Sequence, residues 1–406
     1  MWAVILFLVR SKFNMRPKFK WLISFFHAFL LLAFTAYWMG TGFTYGDEQL
    51  VIKWSSIFKR LALHIDKDPP KKDFIFINVA YDKALIPLED GLGNEVITDR
   101  EKLAQLFQVI KKHQQDIRFT ICDIFLQGKS DQDSLLQNAV SGMNNIIFPT
   151  HFDKNGNIEK LDLHVPKAIA DYRMANSGFL KFKLFQSDSL PTIPVLLYEK
   201  LNHRKFNYSN GIHWDNGKAS HNSMIIDYQI RAHEVFEEKE YPVVTLSEIL
   251  LLPEDVIFNE FLKDRIVVIG DFNADAHDTI YGSTPGTLIL LNIYLTLKDG
   301  QHIVSMWWVL FLIIGYTVFS RLMLFPAPDE DENNPSWFGP LLASASYLAI
   351  FSIVSYLLFN QHIQVLIITL YINTLRFIIQ MRQVEWNKTQ FKKWLLELRE
   401  TYFNFK

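Results

Sequence analysis

Between Lys263 and Asn292 the sequence reads KDRIVVIGDFNADAHDTIYGSTPGTLILLN. Asp271, Asp275, His277 and Asp278 follow an apolar run that ends at Gly270. A strand, a glycine and an acidic loop are the makings of a phosphate cradle, a metal site or the ligand loop of a sensor. The metal reading is weak, because adjacent residues such as His277 and Asp278 rarely share one ion. The loop also lacks the alternating oxygen ligands and central glycine of an EF-hand. A phosphate cradle fares no better: no GxxxxGK[ST] occurs, and VIGDFNADAHD has one glycine where a dinucleotide fingerprint needs three. With no GxSxG, HExxH or kinase motif set anywhere, the expectation is a non-enzyme with no metal, cofactor or catalytic residue.

Two further acids fall at comparable places. Asp123 ends FTICD and Asp82 follows FIFINVA. In an open parallel sheet, ligands favour the carboxyl ends of the strands. Asp82, Asp123 and Asp271 are therefore expected along one edge, with His277 and Asp278 in the loop beyond. The competing reading is that these acids cap helices or bond loop amides.

The elements that would position them alternate strand and helix. Phe74–Ala80 is a buried β-rich run. Arg100–Lys112 places Leu103, Leu106, Phe107 and Ile110 on one helical face, with Thr98 and Glu101 at capping-box spacing. Phe119–Phe125 is the next strand, which implies a βαβ unit and a parallel pair. Helix Leu135–Val140 and strand Asn145–Phe148 continue the pattern, followed later by strand Met224–Tyr228, helix Leu246–Leu251 and strand Arg265–Ile269. Thr287–Leu297 is the last helix, and Asn207–Ser223 reads as a polar loop. The fold class is an α/β domain with a mostly parallel sheet.

This domain lies between apolar ends, which is why a chain with 34 phenylalanines and 10 tryptophans has a mean hydropathy of only +0.07. Trp21–Thr44 is an uncharged run, long enough to cross a hydrocarbon core of roughly 30 Å. It lacks a small-x-small cleavage site, so an uncleaved anchor is expected over a signal peptide. Met1–Val9 is too short to span, and Met15 would also serve as an initiator. Further spans are expected at 303–321, 338–359 and 363–380, the last carrying Arg376, which can snorkel to an interface. Arg10, Lys12, Arg16, Lys18 and Lys20 precede the first span, and Arg382, Lys388, Lys392, Lys393, Arg399 and Lys406 follow the last. The positive-inside rule then puts residues 1–20, the acidic loop 322–337 and the tail 381–406 in the cytoplasm, and 45–302 outside. In a bacterium that is a multi-pass inner-membrane protein with a periplasmic domain. The net charge of −2 offers no basic surface for nucleic acid. Cys122 is the one cysteine, so no intramolecular disulfide can form; inside FTICDIF it reads as a core residue.

Roughly Trp54–Asp299 resembles the second type of CHASE domain, a sensory extracellular domain associated with bacterial cyclases and histidine kinases. The resemblance rests on the order and spacing of INVAYDKAL, TDREKLAQLF with Arg100, ICDIF with Asp123, and KSDQDSLLQNAV with Asp131 and Asp133. KDRIVVIG, Asp278, Pro285-Gly286 and Asn292 complete it, followed by three spans. The sequence departs from the pattern at Tyr81, where an acid is usual, at Leu290-Leu291, where a histidine is common, and in a shorter loop before Pro285. The resemblance implies a sensor; the small-molecule ligand is expected at the strand-end edge of Asp82, Asp123, Asp271 and Asp278, with Arg100 and His277 as further candidates. Such domains usually precede an output domain, which the remaining tail is too short to form. In that tail Val384, Phe391, Leu398 and Phe405 recur every seven residues, widened by Trp394, Leu395 and Tyr402. This is the pattern of a helix that docks on a protein partner or a second copy of the chain; the alternative is a helix lying on the membrane. The expected function is a sensory or accessory membrane subunit, with a structural scaffold as the rival.

Overall fold

The computed structural model describes residues 16–39, 46–63, 68–87, 93–126, 128–159, 163–171, 179–187, 190–325 and 338–383. They divide into two units: Met39–Gln49 with Ser56–Val304, and Met1–Trp38 with Leu50–Ser55 and Ser305–Lys406.

The first unit is built on six strands: β1 (Phe74–Asn78), β2 (Phe119–Asp123), β3 (Ile146–Thr150), β4 (Lys167–Ile169), β5 (Val243–Thr245) and β6 (Ile266–Gly270). They run in the order β5-β1-β6-β2-β3-β4, and every neighbouring pair is parallel. The central strands β1 and β6 read as nearly continuous apolar runs because both faces are covered. Ile75, Ile77, Val267 and Ile269 pack on one side with α3 (Arg100–Lys112), α4 (Asp133–Val140) and α6 (Leu246–Leu250). Phe74, Phe76, Ile266 and Val268 pack on the other with α5 (Ile193–Leu201) and α7 (Gly286–Lys298). Cys122 is fully buried in the first of these layers.

Several expectations need correction. β1 and β2 are not a pair, because β6 lies between them and bonds to both. The βαβ rule fixes the direction of successive strands but leaves room for a later strand to insert. Ser223–Ile225 is not in the main sheet and instead pairs antiparallel with Lys181–Lys183. The edge beside β1 is taken by β5. Residues 207–223 are not a loop: Phe206–Ser209, Ile212–Asp215 and Lys218–Ser220 form an antiparallel meander. Its turns are Asn210-Gly211 and Asn216-Gly217, all at positive φ, the backbone that a two-residue type I′ hairpin requires. The cap of α3 is Asp99 rather than Thr98; its carboxylate accepts from the amides of Glu101 and Lys102.

The second unit holds helices α1 (Pro17–Met39), α8 (Met306–Leu324), α9 (Phe338–Phe359) and α10 (Val365–Gln383). The three helical segments Pro17–Met39, Met306–Leu324 and Gly339–Phe359 are long and apolar enough to cross a membrane. The fourth anticipated span appears as a shorter apolar stretch, Val365–Ile378. Polar contacts tie the bundle together: His27 Nδ1 lies 2.7 Å from Ser320 Oγ and its Nε2 3.1 Å from the Tyr371 hydroxyl. Trp308 Nε1 donates to Ser355 Oγ at 2.8 Å. Between α1 and α3 the chain also forms α2 (Gly46–Leu61), an element the sequence reading did not mark.

Candidate functional site

The register of the central strands sets the site. Asn78 of β1, Gly270 of β6 and Asp123 of β2 are direct neighbours across the sheet, so the carboxyl ends of three strands stand level. Gly270 is required there by close approach: a Cβ on it would fall 2.3 Å from Thr287 Oγ1 of α7. Beyond this edge lies a cavity of about 540 Å³ whose lining includes Arg100, Asp123, His151, Asp171, Asp271 and His277. Ile124, Phe125, Leu126 and Val96 give it an apolar part.

Asp123 ends β2 and receives a hydrogen bond from the Thr287 side chain. Burial raises its carboxyl to about 6, and the charge of Asp275 pushes the same way; Thr287, His151 and His277 act against them. Asp271 shows the opposite balance. Burial works to raise it, but the Lys83 ammonium at 2.6 Å and the amides of Ala274 and Asn273 hold it below the usual carboxylate range. Arg100 is buried and donates to the Asp133 carboxylate and, at 2.8 Å, to the Gly128 carbonyl. Two imidazoles complete the ring. His277 Nε2 is 2.8 Å from Asp275 Oδ1, with the Phe179 ring edge-on to it. His151 Nδ1 is 2.8 Å from Asp171 Oδ1.

The anticipated residues thus separate. Arg100, Asp123, Asp271 and His277 line the cavity, whereas Asp82 and Asp278 do not. Asp82 is buried and accepts from Lys102 Nζ at 2.8 Å and from the hydroxyl and amide of Ser247, so it ties α3 to the start of α6. Asp278 has an exposed side chain on the hairpin Ala276–Thr279/Gly282–Pro285. Asn292 is a packing clamp: its side-chain amide exchanges hydrogen bonds with the backbone of Ile230 and reaches the Leu288 carbonyl. The tail residues Val384, Phe391, Trp394, Leu395, Leu398, Tyr402 and Phe405 lie outside the described residues.

The sequence reading missed His151 and Asp171. His151 directly follows β3, so the strand-end rule that selected Asp123 points to it once β3 is extended to Thr150; Asp171 lies two residues beyond β4, a short strand that the sequence pattern did not mark. Among the described residues no group of three His, Cys, Asp or Glu side chains is disposed to hold a metal ion. What the lining can do is bind a small molecule through ionic and directional hydrogen bonds beside an apolar wall.

A family model described as CHASE2 domain matches residues 30–322. No curated protein and no solved structure matches the chain.

Proposed function

The chain belongs to the CHASE2 domain family, and on that premise we propose that it is a non-catalytic, membrane-anchored sensor. Its α/β domain binds a small ligand outside the cytoplasm, and its apolar helices pass the occupancy to a protein partner. The cavity at the sheet's carboxyl edge is the observation that supports this reading most directly. In a bacterium the domain would face the periplasm from the inner membrane.

The charges suggest the class of ligand. Asp123, Asp171, Asp271, Asp275 and Glu95 face the cavity, against Lys83 and Arg100. Lys83 is held by Asp271, and Arg100 by Asp133, which is not part of the lining. Asp123 and Glu95 have no ion pair among the described residues. A small organic cation with a short apolar body fits this balance. The test uses the full chain in detergent micelles with n-butylammonium, n-butanol and butyrate, probes matched in size and differing in charge. Butylammonium should raise the unfolding midpoint most, and Asp123→Asn should weaken its binding at least tenfold. Equal stabilisation by butyrate, or undiminished binding to the variant, overturns the reading.

A structural scaffold role has one observation in its favour. Leu85 and Val96, paired across the hairpin Lys83–Pro87/Asn94–Thr98, are both largely exposed. If the domain docks there, Leu85→Lys, at a position outside the cavity lining, should strip a co-purifying protein while the response to butylammonium survives.

A further inference from the structure

Helix α2 turns the wrong way round for a protein surrounded by water. Leu50, Trp54 and Phe58 recur at four-residue spacing and are 60%, 67% and 49% exposed. The side facing inward carries Glu48, Ser55 and Lys59, all buried, beside Ile52. Glu48 is ion-paired with Lys181. In water this arrangement is unfavourable on both sides, since apolar area stays wet while charged groups are desolvated. A soluble amphipathic helix does the reverse.

Chain continuity indicates what covers the stripe. α1 ends at Met39 and α2 begins at Gly46, so the connection can span at most about 25 Å. The start of α2 is therefore tethered near the plane where the first membrane-crossing helix ends. That helix exposes Phe26, Phe29 and Tyr37, the side chains expected against lipid. Tryptophan at the centre of the α2 stripe is the residue most favoured at a membrane–water boundary.

We propose that α2 is an interfacial helix, lying along the membrane surface at the end of α1 with Leu50, Trp54 and Phe58 set into the acyl boundary. It would fix the chain to the bilayer at the point where the sensory domain begins. A second copy of the chain is the rival occupant, and it lacks the support of the tether.

The experiment uses the full chain in phosphatidylcholine vesicles with Cys122→Ser as background. Single nitroxide labels go at positions 50, 54 and 58, with Lys53→Cys as an exposed reference at the edge of the stripe. Labels on the stripe should collide with oxygen severalfold more often, relative to a water-soluble nickel complex, than the label at 53. Brominated lipid should also quench the fluorescence difference between wild type and Trp54→Phe. Free access of the nickel complex to all three positions would put the stripe in water and overturn the proposal. Protection from both reagents, with spin–spin broadening between labels, would place a second copy there and overturn it equally.

Discussion

Asp123 is held where ionisation is unfavourable, and that has a measurable consequence. Its carboxyl is raised from the ordinary 3.8 to about 6, by burial first and then by Asp275. The folded chain therefore binds this proton more tightly than the unfolded one. The group's relative contribution is most favourable below the unfolded value and is lost as pH rises through about 6. Asp123→Asn should accordingly stabilise the protein at pH 7.5 by roughly 1–3 kcal/mol, with the gain vanishing below about pH 4. Denaturant midpoints across that range check it; no gain at pH 7.5 would mean the carboxylate is well solvated. Gly270 offers a second test at this scale. A methyl group there meets Thr287 Oγ1 at 2.3 Å and the Phe272 ring at 3.2 Å. Gly270→Ala should cost about 1–3 kcal/mol, less in a Thr287→Ala background, because the two sites share one contact.

Elements are held by acids that the sequence places beside those of the cavity. Asp82 and Asp123 both follow apolar strands, yet Asp82 joins α3 to α6 through Lys102 and Ser247. Asp82→Asn should lower stability by roughly 1–3 kcal/mol, the usual cost of breaking a buried charged hydrogen bond. It should leave butylammonium affinity within about twofold of wild type, since Asp82 does not line the cavity. A tenfold loss of affinity would make Asp82 part of the site after all. The meander depends on its turns in the same local way. Gly217 sits at φ +79° with open space around it, so Gly217→Ala carries only the left-handed backbone penalty, about 1–2 kcal/mol. A thermal melt of the variant reads that loss directly.

At the scale of the molecule, the charge distribution sets an expectation for topology. Basic residues cluster before Trp21 and after Met381, and none lies in 360–364. Cysteines placed at Asn210, in a hairpin turn of the α/β unit, and at Asn404 should label oppositely with a membrane-impermeant thiol reagent. Reaction at 210 alone in intact spheroplasts is the expected result. Reaction at 404 alone would invert the orientation and move the cavity to the cytoplasmic side.

The central strands and the amphipathic helix between them were legible in the sequence, because that information is local; α2, the meander and the short strands β4 and β5 were not. Arg100–Lys112 is a helix over the anticipated residues, since its apolar face repeats at the helical period and Asp99 starts it. Phe74–Asn78, Phe119–Asp123 and Ile266–Gly270 are strands within a residue or two of expectation, because a run buried on both faces is apolar whatever its neighbours. The Asn-Gly turns were equally legible, and only the polarity of the segment hid them. Tertiary structure decided the rest. That β6 lies between β1 and β2 depends on pairing over distant positions, which periodicity does not record. The division of labour among the acids was also decided in space: Asp123 gained a cavity, Asp82 gained Lys102 and Ser247, and Asp271 gained Lys83. His151 meets Asp171 only because β3 and β4 run side by side. A side chain's type fixes the chemistry available to it, whereas its partner and its solvation, which set its charge, exist only once the chain has folded.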